Sequence, residues 1–402
     1  MNVLFLTMSW QKDINAKGLY TDLVRKFRDE GHRMFVVCPS ERRRALPTRL
    51  EQQDGVSILL VRTLNLQKTN VVEKGLGQLL MEPSYLRAIR RYFRDVRFDL
   101  ILYSTPPVTF NRVIRSVRKR NPEAVSYLML KDIFPQNAVD LGMFSKTGLL
   151  YRVFRRKEQT LYRISDHIGC MSPANVRYLL AHNPSVPSQK VGICPNSYDS
   201  AGEVILSAEQ REEVRRKYGL PLSKPVFIYG GNLGKPQGIP FLIECLKANA
   251  SRGDCHFVIV GDGTDYPLLK TWHDEAGPSA VSVFRSLPRE EFDMLAAACD
   301  IGLIFLDYRF TIPNFPSRLL SYMMCRKPVL ACTDPVSDVG PVIESAGCGC
   351  FCLSNDVAAF TQTVDAMLTM DADEMGEKAY RYYLDNFTVA HSYGAIMTQA
   401  NV

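Results

Sequence analysis

The sequence predicts an α/β protein built from two doubly wound, parallel-sheet domains. Its 402 residues exceed what one hydrophobic core usually organises, so two domains of about 200 residues each are expected. In both halves, short apolar runs that suit buried strands alternate with amphipathic helical patterns. The net charge also changes sign, since residues 1–199 hold 32 Lys and Arg against 17 Asp and Glu, whereas residues 200–402 hold 17 against 25. We therefore expect a basic first domain that faces an anionic partner and an acidic second domain.

The first half alternates strands and helices along its whole length. Strands are predicted at Val3–Met8, Met34–Cys38, Ser57–Val61, Leu100–Tyr103, Val125–Leu130 and Ile168–Met171. Helices are predicted at Lys17–Glu30 and Gln78–Arg97, and Ser172-Pro173 has the pattern of a helix start. Ligands of open parallel sheets bind beyond the carboxyl ends of the strands. Three segments should therefore surround one cleft: Trp10–Gly18, Ser104–Pro107 and Lys131–Asn137.

Asp132 follows the predicted strand Val125–Leu130, at a cleft-forming end of the first sheet. A carboxylate at such a position can act on a substrate hydroxyl. The alternative is that Asp132 caps a helix or supports a turn, as Asp often does. The position alone does not favour either interpretation.

The segment Gln78–Arg97 combines an apolar face with five arginines, at positions 87, 90, 91, 94 and 97. A solvated surface helix is the favoured interpretation, and the alternative is attraction to anionic lipid headgroups. Nucleic acid is not expected as a partner, because the arginines are not interleaved with stacking aromatic residues and no recognition-helix signature occurs.

The second half begins with a strand at Val226–Tyr229 and a glycine-rich loop. Four glycines fall within nine residues, at positions 230, 231, 234 and 238, with Asn232 and Lys235 between them. A helical pattern starts near Pro240. Glycines let a phosphate approach the backbone, and the first turn of a helix offers free N–H groups. The pattern favours a diphosphate site over an ordinary strand-to-helix turn.

The alternation then continues towards the end of the chain. Further strands are predicted at His256–Val260, Val281–Phe284, Asp300–Leu306 and Pro328–Ala331. Helices are predicted at Ala208–Tyr218, Tyr266–Glu275, Glu290–Ala298, Ser317–Met324 with Ser317 as its cap, Val357–Leu368 and Ala372–Asn386. We expect domains at residues 1–199 and 200–386, with residues 387–402 returning to the first domain.

Composition narrows the cellular setting. No run reaches about 18 apolar residues, so no membrane span is expected, and the N-terminal residues lack the basic region of a signal peptide. The eleven cysteines include no C-x-x-C pair, which favours the reduced thiols of a cytosolic protein. Cys348, Cys350 and Cys352 alternate, but with no histidine nearby they are interpreted as small strand residues and not as metal ligands.

Several motifs resemble those of family-4 retaining glycosyltransferases of the GT-B fold. The resemblance is strongest to the bacterial branch that builds surface and capsular polysaccharide, and it extends over nearly the whole chain. The motifs are Gly31-His32, Ser104–Pro107, Asp132–Gly142, Pro195-Asn196-x-x-Asp199, Gly231–Gly238 (GNLGKPQG), Gly261-Asp262-Gly263, Pro316–Met323 (PSRLLSYM) and Lys327-Pro328-Val329. Each motif alone is weak, whereas the ordered set is specific.

The resemblance implies two Rossmann-like domains that face each other across a cleft. It implies a nucleotide-diphosphate-sugar donor on the second domain, an acceptor on the first, and transfer with retention at the anomeric carbon. No cofactor or metal is implied, because protein cations usually stabilise the diphosphate in this fold. The six histidines are scattered, and no D-x-D motif ends a predicted strand.

The resemblance also assigns roles to individual residues. The donor diphosphate would lie by Gly231, Asn232 and Gly234 with the cations Lys235 and Arg318, and Gly261 and Gly263 would complete the site. Arg285, Ser286 and Leu287 would lie near the nucleobase, and Ser321 near the ribose. Asp132 would face the acceptor or the transferred sugar, so the expected catalytic residues are Asp132, Lys235 and Arg318.

The sequence departs from the family pattern at the carboxylates. Many relatives carry Glu-x7-Glu, and the corresponding positions here are Pro313 and Ser321. Gln237 stands where relatives have a lysine, so Lys235 and Arg318 would supply the positive charge.

The leading hypothesis is a cytoplasmic enzyme, peripheral on the inner face of the cell membrane, that moves a hexosyl or N-acetylhexosaminyl group to a lipid-diphosphate-linked saccharide. The alternatives are a non-catalytic GT-B subunit and a nucleotide-sugar 2-epimerase. An anionic membrane surface is expected as a partner of the basic first half.

Overall fold

The computed structural model describes residues 1–11, 13–66, 71–202 and 204–401. The chain divides into two compact units. Unit 1 contains Met1–Asp199 and Val389–Val402, and unit 2 contains Ser200–Thr388. Each unit has its own sheet, and the two are described separately below.

Unit 1 has eight strands in the part of the chain that the structure describes. They are β1 (Asn2–Leu6), β2 (Arg33–Glu41), β3 (Arg49–Gln53), β4 (Val56–Thr63), β5 (Leu100–Ser104), β6 (Val125–Leu130), β7 (His167–Cys170) and β8 (Val191–Ile193). Its helices up to the boundary are α1 (Leu19–Asp29), α2 (Val71–Tyr92), α3 (Asn111–Arg120), α4 (Gln136–Asp140), α5 (Leu149–Ile164) and α6 (Pro173–His182). Ser172 caps α6 by accepting a hydrogen bond from the Asn175 backbone N–H, as its sequence predicts.

The first sheet has the strand order β3-β4-β2-β1-β5-β6-β7-β8. Strand β3 pairs antiparallel with β4, so the prediction of an all-parallel sheet is wrong at this edge. The cause is a two-residue turn at Asp54-Gly55, where both residues have positive φ angles, of 44° and 79°. Such turns match the twist of a hairpin and reverse the chain.

Unit 2 contains six strands and eight helices in the described ranges. The strands are β9 (Val226–Asn232), β10 (His256–Asp262), β11 (Val281–Phe284), β12 (Ile301–Phe305), β13 (Val329–Thr333) and β14 (Gly349–Leu353). The helices are α7 (Ala208–Lys217), α8 (Ile239–Ala248), α9 (Tyr266–Ala276), α10 (Arg289–Ala298), α11 (Arg318–Met324), α12 (Val339–Ser345), α13 (Val357–Leu368) and α14 (Ala372–Asn386). Helix α11 begins where it was predicted, but Ser317 makes no side-chain cap hydrogen bond, because its own backbone is already helical at φ −62° and ψ −15°.

The second sheet is entirely parallel, with the order β11-β10-β9-β12-β13-β14. Renumbered from its first strand, this is the 3-2-1-4-5-6 order of dinucleotide-binding folds. The strand order reverses between β9 and β12, so the carboxyl ends of these two strands form the switch point where such sheets bind ligands. Their apolar runs are buried, as expected for central strands covered on both faces.

The last helix, α15 (Val389–Ala400), belongs to unit 1. The Val389 backbone N–H donates to the Tyr198 carbonyl oxygen at 2.8 Å. The Tyr127 hydroxyl of β6 donates to Gln399 Oε1 at 2.5 Å, and Ser392 contacts Ser197 with 2.7 Å between their hydroxyl oxygens. Side chains of α15 also complete the apolar core of unit 1.

Candidate functional site

The glycine-rich loop leaves β9 at the switch point of the second sheet. Gly231 and Gly238 have φ angles of 129° and 60°, which L side chains rarely adopt. Gly238 is also the N-cap of α8, and a Cβ there would lie 3.3 Å from the Cα of Asp307, in the loop after β12. The Asp307 backbone N–H donates to the Pro236 carbonyl oxygen at 3.0 Å, so the loops after β9 and β12 are joined.

Contacts of Asn232 and Gly234 fix the conformation of the glycine-rich loop. The Asn232 Nδ2 donates to Gln237 Oε1 at 2.7 Å, and the Tyr229 hydroxyl donates to the Asn232 carbonyl oxygen at 2.8 Å. A Cβ at Gly234 would lie 2.9 Å from the Asn232 Nδ2. Lys235 follows in the 3₁₀ turn Lys235–Gln237 and is exposed, so the loop presents a cation to solvent.

Gly261 and Gly263 support this loop from the neighbouring strand. A Cβ at Gly261 would lie 2.0 Å from the Gly231 carbonyl oxygen, and one at Gly263 would lie 2.2 Å from the Leu233 carbonyl oxygen. The Leu233 backbone N–H also donates to the Asp262 carbonyl oxygen at 3.0 Å. The two glycines therefore allow the loops after β9 and β10 to pack backbone to backbone.

Arg318, the first residue of α11, lies against the glycine-rich loop. Its Nη2 is 2.0 Å from the position that a Cβ of Gly231 would occupy, and its Cζ is 4.3 Å from the centre of the Tyr229 ring. Burial raises the pKa of the Tyr229 hydroxyl, and the charge of Arg318 partly offsets that rise. The arginine and the loop that the sequence predicts around one diphosphate thus meet in the structure.

Tyr322 fixes α11 in this place. Its buried hydroxyl donates to the Ile228 carbonyl oxygen at 2.9 Å and accepts from the Gly230 N–H at 3.1 Å. The ladder between β9 and β12 ends at Gly302, whose absent Cβ would lie 2.4 Å from the Tyr322 ring. Tyr322 therefore fills the gap where β9 and β12 separate, one helical turn after Arg318. Sequence reasoning did not give it this role.

The residues predicted near the nucleobase follow β11. Arg285 and Ser286 are exposed and Leu287 is half-buried. The Arg285 Cζ lies 4.8 Å from the centre of the Tyr266 ring, and Tyr266 begins α9 directly after the Gly263 turn. The loop after β11 is thereby connected to the loop after β10.

Ser321 lies in α11, where many relatives have a glutamate, and it contacts an arginine that was not singled out from the sequence. The Arg289 Nη2 is 3.4 Å from the Ser321 hydroxyl oxygen, and the Arg289 Nε donates to both carboxylate oxygens of Asp293 at 3.0 Å. Arg289 and Asp293 are spaced i, i+4 on α10, a pattern that favours such a pair. The arrangement puts a cation beside Ser321.

A second arginine that was not singled out from the sequence is Arg309, in the loop after β12, which is joined to the glycine-rich loop through Asp307. Asp307 accepts from the Arg309 Nε at 2.9 Å and from its Nη2 at 2.7 Å. Burial acts to raise the pKa of Asp307, but its hydrogen bonds to Arg309 outweigh burial and hold that pKa below its usual value. Pro313, at the other expected glutamate position, is buried.

Asp132 lies in unit 1, just beyond β6. Its two carboxylate oxygens accept from the Asn137 Nδ2 at 2.9 and 2.8 Å, and the Thr105 hydroxyl donates to its carbonyl oxygen at 2.9 Å. Burial raises the pKa of Asp132 to about 6, the hydrogen bonds to Ile133 and Asn137 act against that rise, and the charge of Glu158 adds to it. The N-cap of α4 is Pro135, so Asp132 does not cap that helix.

The arginine-rich segment 78–97 forms the end of α2 and the turn after it. Met81, Tyr85, Ile89 and Phe93 are buried in unit 1, so their apolar face is already occupied. The five arginines at positions 87, 90, 91, 94 and 97 are exposed. Exposed arginines are common to both interpretations of this segment, so attraction to anionic lipid headgroups stays a prediction.

A different surface of unit 1 combines exposed apolar and basic side chains. Met143, Leu149, Leu150 and Val153 are 56%, 76%, 60% and 39% exposed, and we call them the α5 apolar patch. Three cations that are near these residues in the sequence, Lys146, Arg152 and Arg156, are also exposed. None of the helices in the described ranges is both long and apolar enough to cross a membrane.

Comparison with known proteins identifies the class of the chain. The model of the glycosyl transferase 4-like domain matches residues 20–197, and that of glycosyl transferases group 1 matches residues 210–382. The chain is a glycosyltransferase. The probable glycosyltransferase WbjE of Pseudomonas aeruginosa is 24% identical over 368 residues, which cover 90% of this chain and 88% of WbjE.

Solved structures confirm the GT-B fold of this glycosyltransferase. Sucrose-phosphate synthase from Thermosynechococcus elongatus superposes with a TM-score of 0.78, at 15% identity and 99% coverage of both chains. HepE of Anabaena, solved in complex with UDP, superposes with a TM-score of 0.69, at 17% identity and full coverage of both chains. Neither the non-catalytic subunit nor the epimerase is favoured by these matches.

Proposed function

We propose that this glycosyltransferase moves a hexosyl or N-acetylhexosaminyl group, with retention, from a nucleoside-diphosphate-sugar to a lipid-diphosphate-linked saccharide during surface polysaccharide synthesis. The observation that carries the proposal is the contact between Arg318 and Gly231 at the switch point of the second sheet. A guanidinium group against a glycine-rich backbone loop suits the oxygens of a diphosphate.

The leaving group explains why cations are needed there. When the sugar–phosphate bond breaks, the departing nucleoside diphosphate gains negative charge, and fixed cations and N–H dipoles stabilise that charge in the transition state. Arg318 is held by Tyr229 and Gly231, and Lys235 extends from the same loop. We expect these two cations to replace a metal ion, so turnover should survive chelation of divalent metals.

The nucleoside would extend from the diphosphate towards the loop after β11. The HepE structure bound to UDP supports a uridine nucleotide as the first donor to test. In our proposal, Arg285, Ser286 and Leu287 border the base, and Ser321 contacts a ribose hydroxyl. A serine hydroxyl forms a neutral hydrogen bond where a glutamate would form a stronger, charge-assisted one. Arg289, which contacts Ser321, would keep that hydroxyl oriented.

Asp132 is proposed to act on the acceptor. It lies at the carboxyl end of β6, and its pKa near 6 means that it is mainly ionised at neutral pH. An ionised carboxylate accepts a hydrogen bond from an attacking hydroxyl and can take its proton. The hydrogen bonds from Asn137 fix the orientation of both carboxylate oxygens.

A lipid-linked acceptor requires contact with a bilayer, and we propose that the α5 apolar patch supplies it at the inner face of the cell membrane. Exposed leucines flanked by cations suit an anionic membrane, because the apolar side chains insert while the cations meet the headgroups. Leu149, at 76%, is the most exposed residue of the patch.

The decisive experiment is a thermal-shift titration of the pure protein with UDP, GDP and their sugars, with and without EDTA. Binding of one nucleotide raises the melting temperature by mass action. We expect one nucleotide to raise the melting temperature selectively. Because Arg318 and Lys235 are proposed to contact its phosphates, Arg318→Ala and Lys235→Ala should each weaken the affinity for that nucleotide by about tenfold or more. The controls are Arg216→Ala and Lys247→Ala, exposed cations of unit 2 on α7 and α8.

Two results would contradict the proposal. If no nucleotide shifts the melting temperature, the proposed donor site is wrong. If both site variants keep the wild-type affinity, Arg318 and Lys235 do not contact the diphosphate. With the donor known, NMR of the product reports the anomeric configuration, and inversion would exclude the proposed stereochemistry.

A further inference from the structure

Unit 1 contains a cavity that the proposed donor and acceptor residues do not use. It has a volume of about 500 Å³ and lies between the loop after β1, the end of β2 and the antiparallel hairpin β3–β4. Small-molecule sites span about 300–1,000 Å³. We call it the hairpin cavity.

One wall of the hairpin cavity is apolar and one of its side chains is a flat aromatic ring. Pro39, Ile58 and Leu60 contribute aliphatic surface from β2 and β4, and Trp10 contributes its indole. A pyranose ring presents C–H groups on its faces, and such faces pack against an indole while the ring hydroxyls point to the rim. This surface suits a sugar ring.

Arg49 and Trp10 are the two side chains of the cavity lining that carry buried donors of interest. Arg49 directs Nε and Nη2 to Glu51 Oε1, at 2.7 and 2.6 Å. Within the described part of the chain, the buried Arg49 Nη1 and the buried Trp10 Nε1 have no hydrogen-bond partner. Buried donors without acceptors are uncommon, because each loses its hydration without a replacement. Arg49 and Trp10 thus remain in the cavity lining although each carries a buried donor that is unpaired among the described residues.

The charge of the lining selects among oxygen-rich ligands. Arg44 and Arg49 contribute two guanidinium groups, and Glu51 contributes one carboxylate. The side chain of Arg44 belongs to the exposed 3₁₀ turn Arg42–Arg44 at the rim. One net positive charge favours a sugar that carries a carboxylate or a phosphate over a neutral sugar.

We propose that the hairpin cavity binds an anionic sugar residue of the acceptor, and this rests on the proposed function. In the sheet order β3-β4-β2-β1-β5-β6, the strands that border the cavity lie two to five places from β6, and Asp132 lies just beyond β6. At about 4.8 Å per strand the separation is about 10–24 Å. The anionic sugar is therefore not the one that reacts at Asp132 but a residue further along the same saccharide.

The chain offers a direct reporter, because Trp10 and Trp272 are its two tryptophans. Trp272 lies on α9 of unit 2, so a Trp272→Phe variant retains only the cavity tryptophan. Its fluorescence is followed during titration with glucuronic acid, glucose 1-phosphate or glucose at constant ionic strength. Concentrations up to about 50 mM would saturate a site even of millimolar affinity.

We expect a saturable change with glucuronic acid, with glucose 1-phosphate or with both, and a response to glucose at least about tenfold weaker. A response to only one of the anions identifies the carboxylate or the phosphate as the ligand group. Adding Arg49→Gln or Arg44→Ala should weaken the response by about tenfold. Arg44 is exposed, so its variant tests the charge without disturbing the fold.

No saturable change with either anion overturns the proposal. So does an equal response to glucose, or an unchanged response in both arginine variants. The thermal-shift titration with nucleotides is independent of this readout. If nucleotides bind but the fluorescence of Trp10 does not change with either anion, only the proposed anionic-sugar site is contradicted. If the fluorescence of Trp10 changes but no nucleotide binds, only the proposed donor site is contradicted.

Discussion

The guanidinium of Arg318 occupies the space that a side chain at Gly231 would need. The Arg318 Nη2 lies 2.0 Å from the ideal Cβ position of that glycine. The loop after β9 and the first turn of α11 are thus shaped for each other: the residue must lack a side chain so that the cation can lie on the backbone. This contact connects the family motif GNLGKPQG to the motif PSRLLSYM, since Gly231 and Arg318 are 87 residues apart in the sequence.

Gly231→Ala should therefore damage the donor site and the fold together. The φ angle of 129° is unfavourable for alanine, and the new methyl group displaces Arg318. We expect the free energy of unfolding to fall by about 1–3 kcal/mol, as for other strained positions, and nucleotide affinity to fall by about tenfold or more. Denaturant melts and nucleotide titrations measure the two effects.

Gly253→Ala is the matched control, since a Cβ there meets nothing within 4 Å. It should leave both properties nearly unchanged. Equal behaviour of the two alanine variants would show that Arg318 does not depend on the missing side chain of Gly231.

Tyr322→Phe should loosen Arg318 without touching any ligand. The substitution removes the hydroxyl that bridges Ile228 and Gly230, and leaves their buried backbone groups unpaired. We expect a loss of about 1–3 kcal/mol in the free energy of unfolding and a higher KM for the donor. Tyr382→Phe on α14, where the tyrosine is half-buried, is the control, and a loss of the same size there would assign the effect to general packing.

Asp132→Asn should abolish transfer, leave nucleotide binding intact and stabilise the protein at neutral pH. Because burial raises the pKa of Asp132 to about 6, from 3.8, the folded chain binds more protons than the unfolded chain between these values. The stability of the wild type therefore falls as the pH rises from about 4 to about 6, whereas the asparagine variant lacks this loss.

Melting curves at several pH values measure this difference. The variant should exceed the wild type by about 3 kcal/mol above pH 6 and match it near pH 4. Turnover by the wild type should also decline as the pH falls below about 6, where Asp132 becomes protonated. Wild-type turnover in Asp132→Asn would make Asp132 a structural residue.

Leu149→Ser should weaken binding to anionic liposomes. Inserting a leucine side chain into the bilayer contributes about 1.5–3 kcal/mol, so its loss should reduce the partition coefficient by about tenfold or more. Liposome co-sedimentation measures this change. Leu268→Ser, at a residue of α9 that is 51% exposed in acidic unit 2, is the control.

The patch also makes a prediction about salt. Arg152→Ala and Arg156→Ala should weaken binding mainly at low ionic strength, because screening removes their contribution at high salt. If Leu149→Ser and Leu268→Ser bind equally well, the α5 apolar patch does not contact the membrane.

The sequence alone predicted the strands and helices whose apolar pattern, flanking residues and burial all indicate the same structure. Strand β9 is an apolar run beside glycines, and it forms within a few residues of its predicted bounds. Strand β3 was missed, because its residues Arg49–Gln53 are mostly polar and suit an exposed edge. The Asp54-Gly55 turn was the signal that could have found it.

The candidate site was predicted as far as its motifs extend. Arg318 and Gly231 were singled out together through resemblance, and the structure brings them into contact. The roles of Tyr322 and Arg289 depend on which strands and helices become neighbours, and pairing across 92 and 32 residues of sequence has no local signal.

Helix α15 has a consequence for how the protein is made. Unit 1 starts with the first residues of the chain but is completed only by Val389–Ala400, which the ribosome synthesises after all of unit 2. Domains usually fold as they emerge, yet here the first to emerge must wait, with the partners of Ser392 and Gln399 still unoccupied. During translation, unit 2 is therefore complete before unit 1. A chain that terminates within α15 lacks side chains that belong to the apolar core of unit 1.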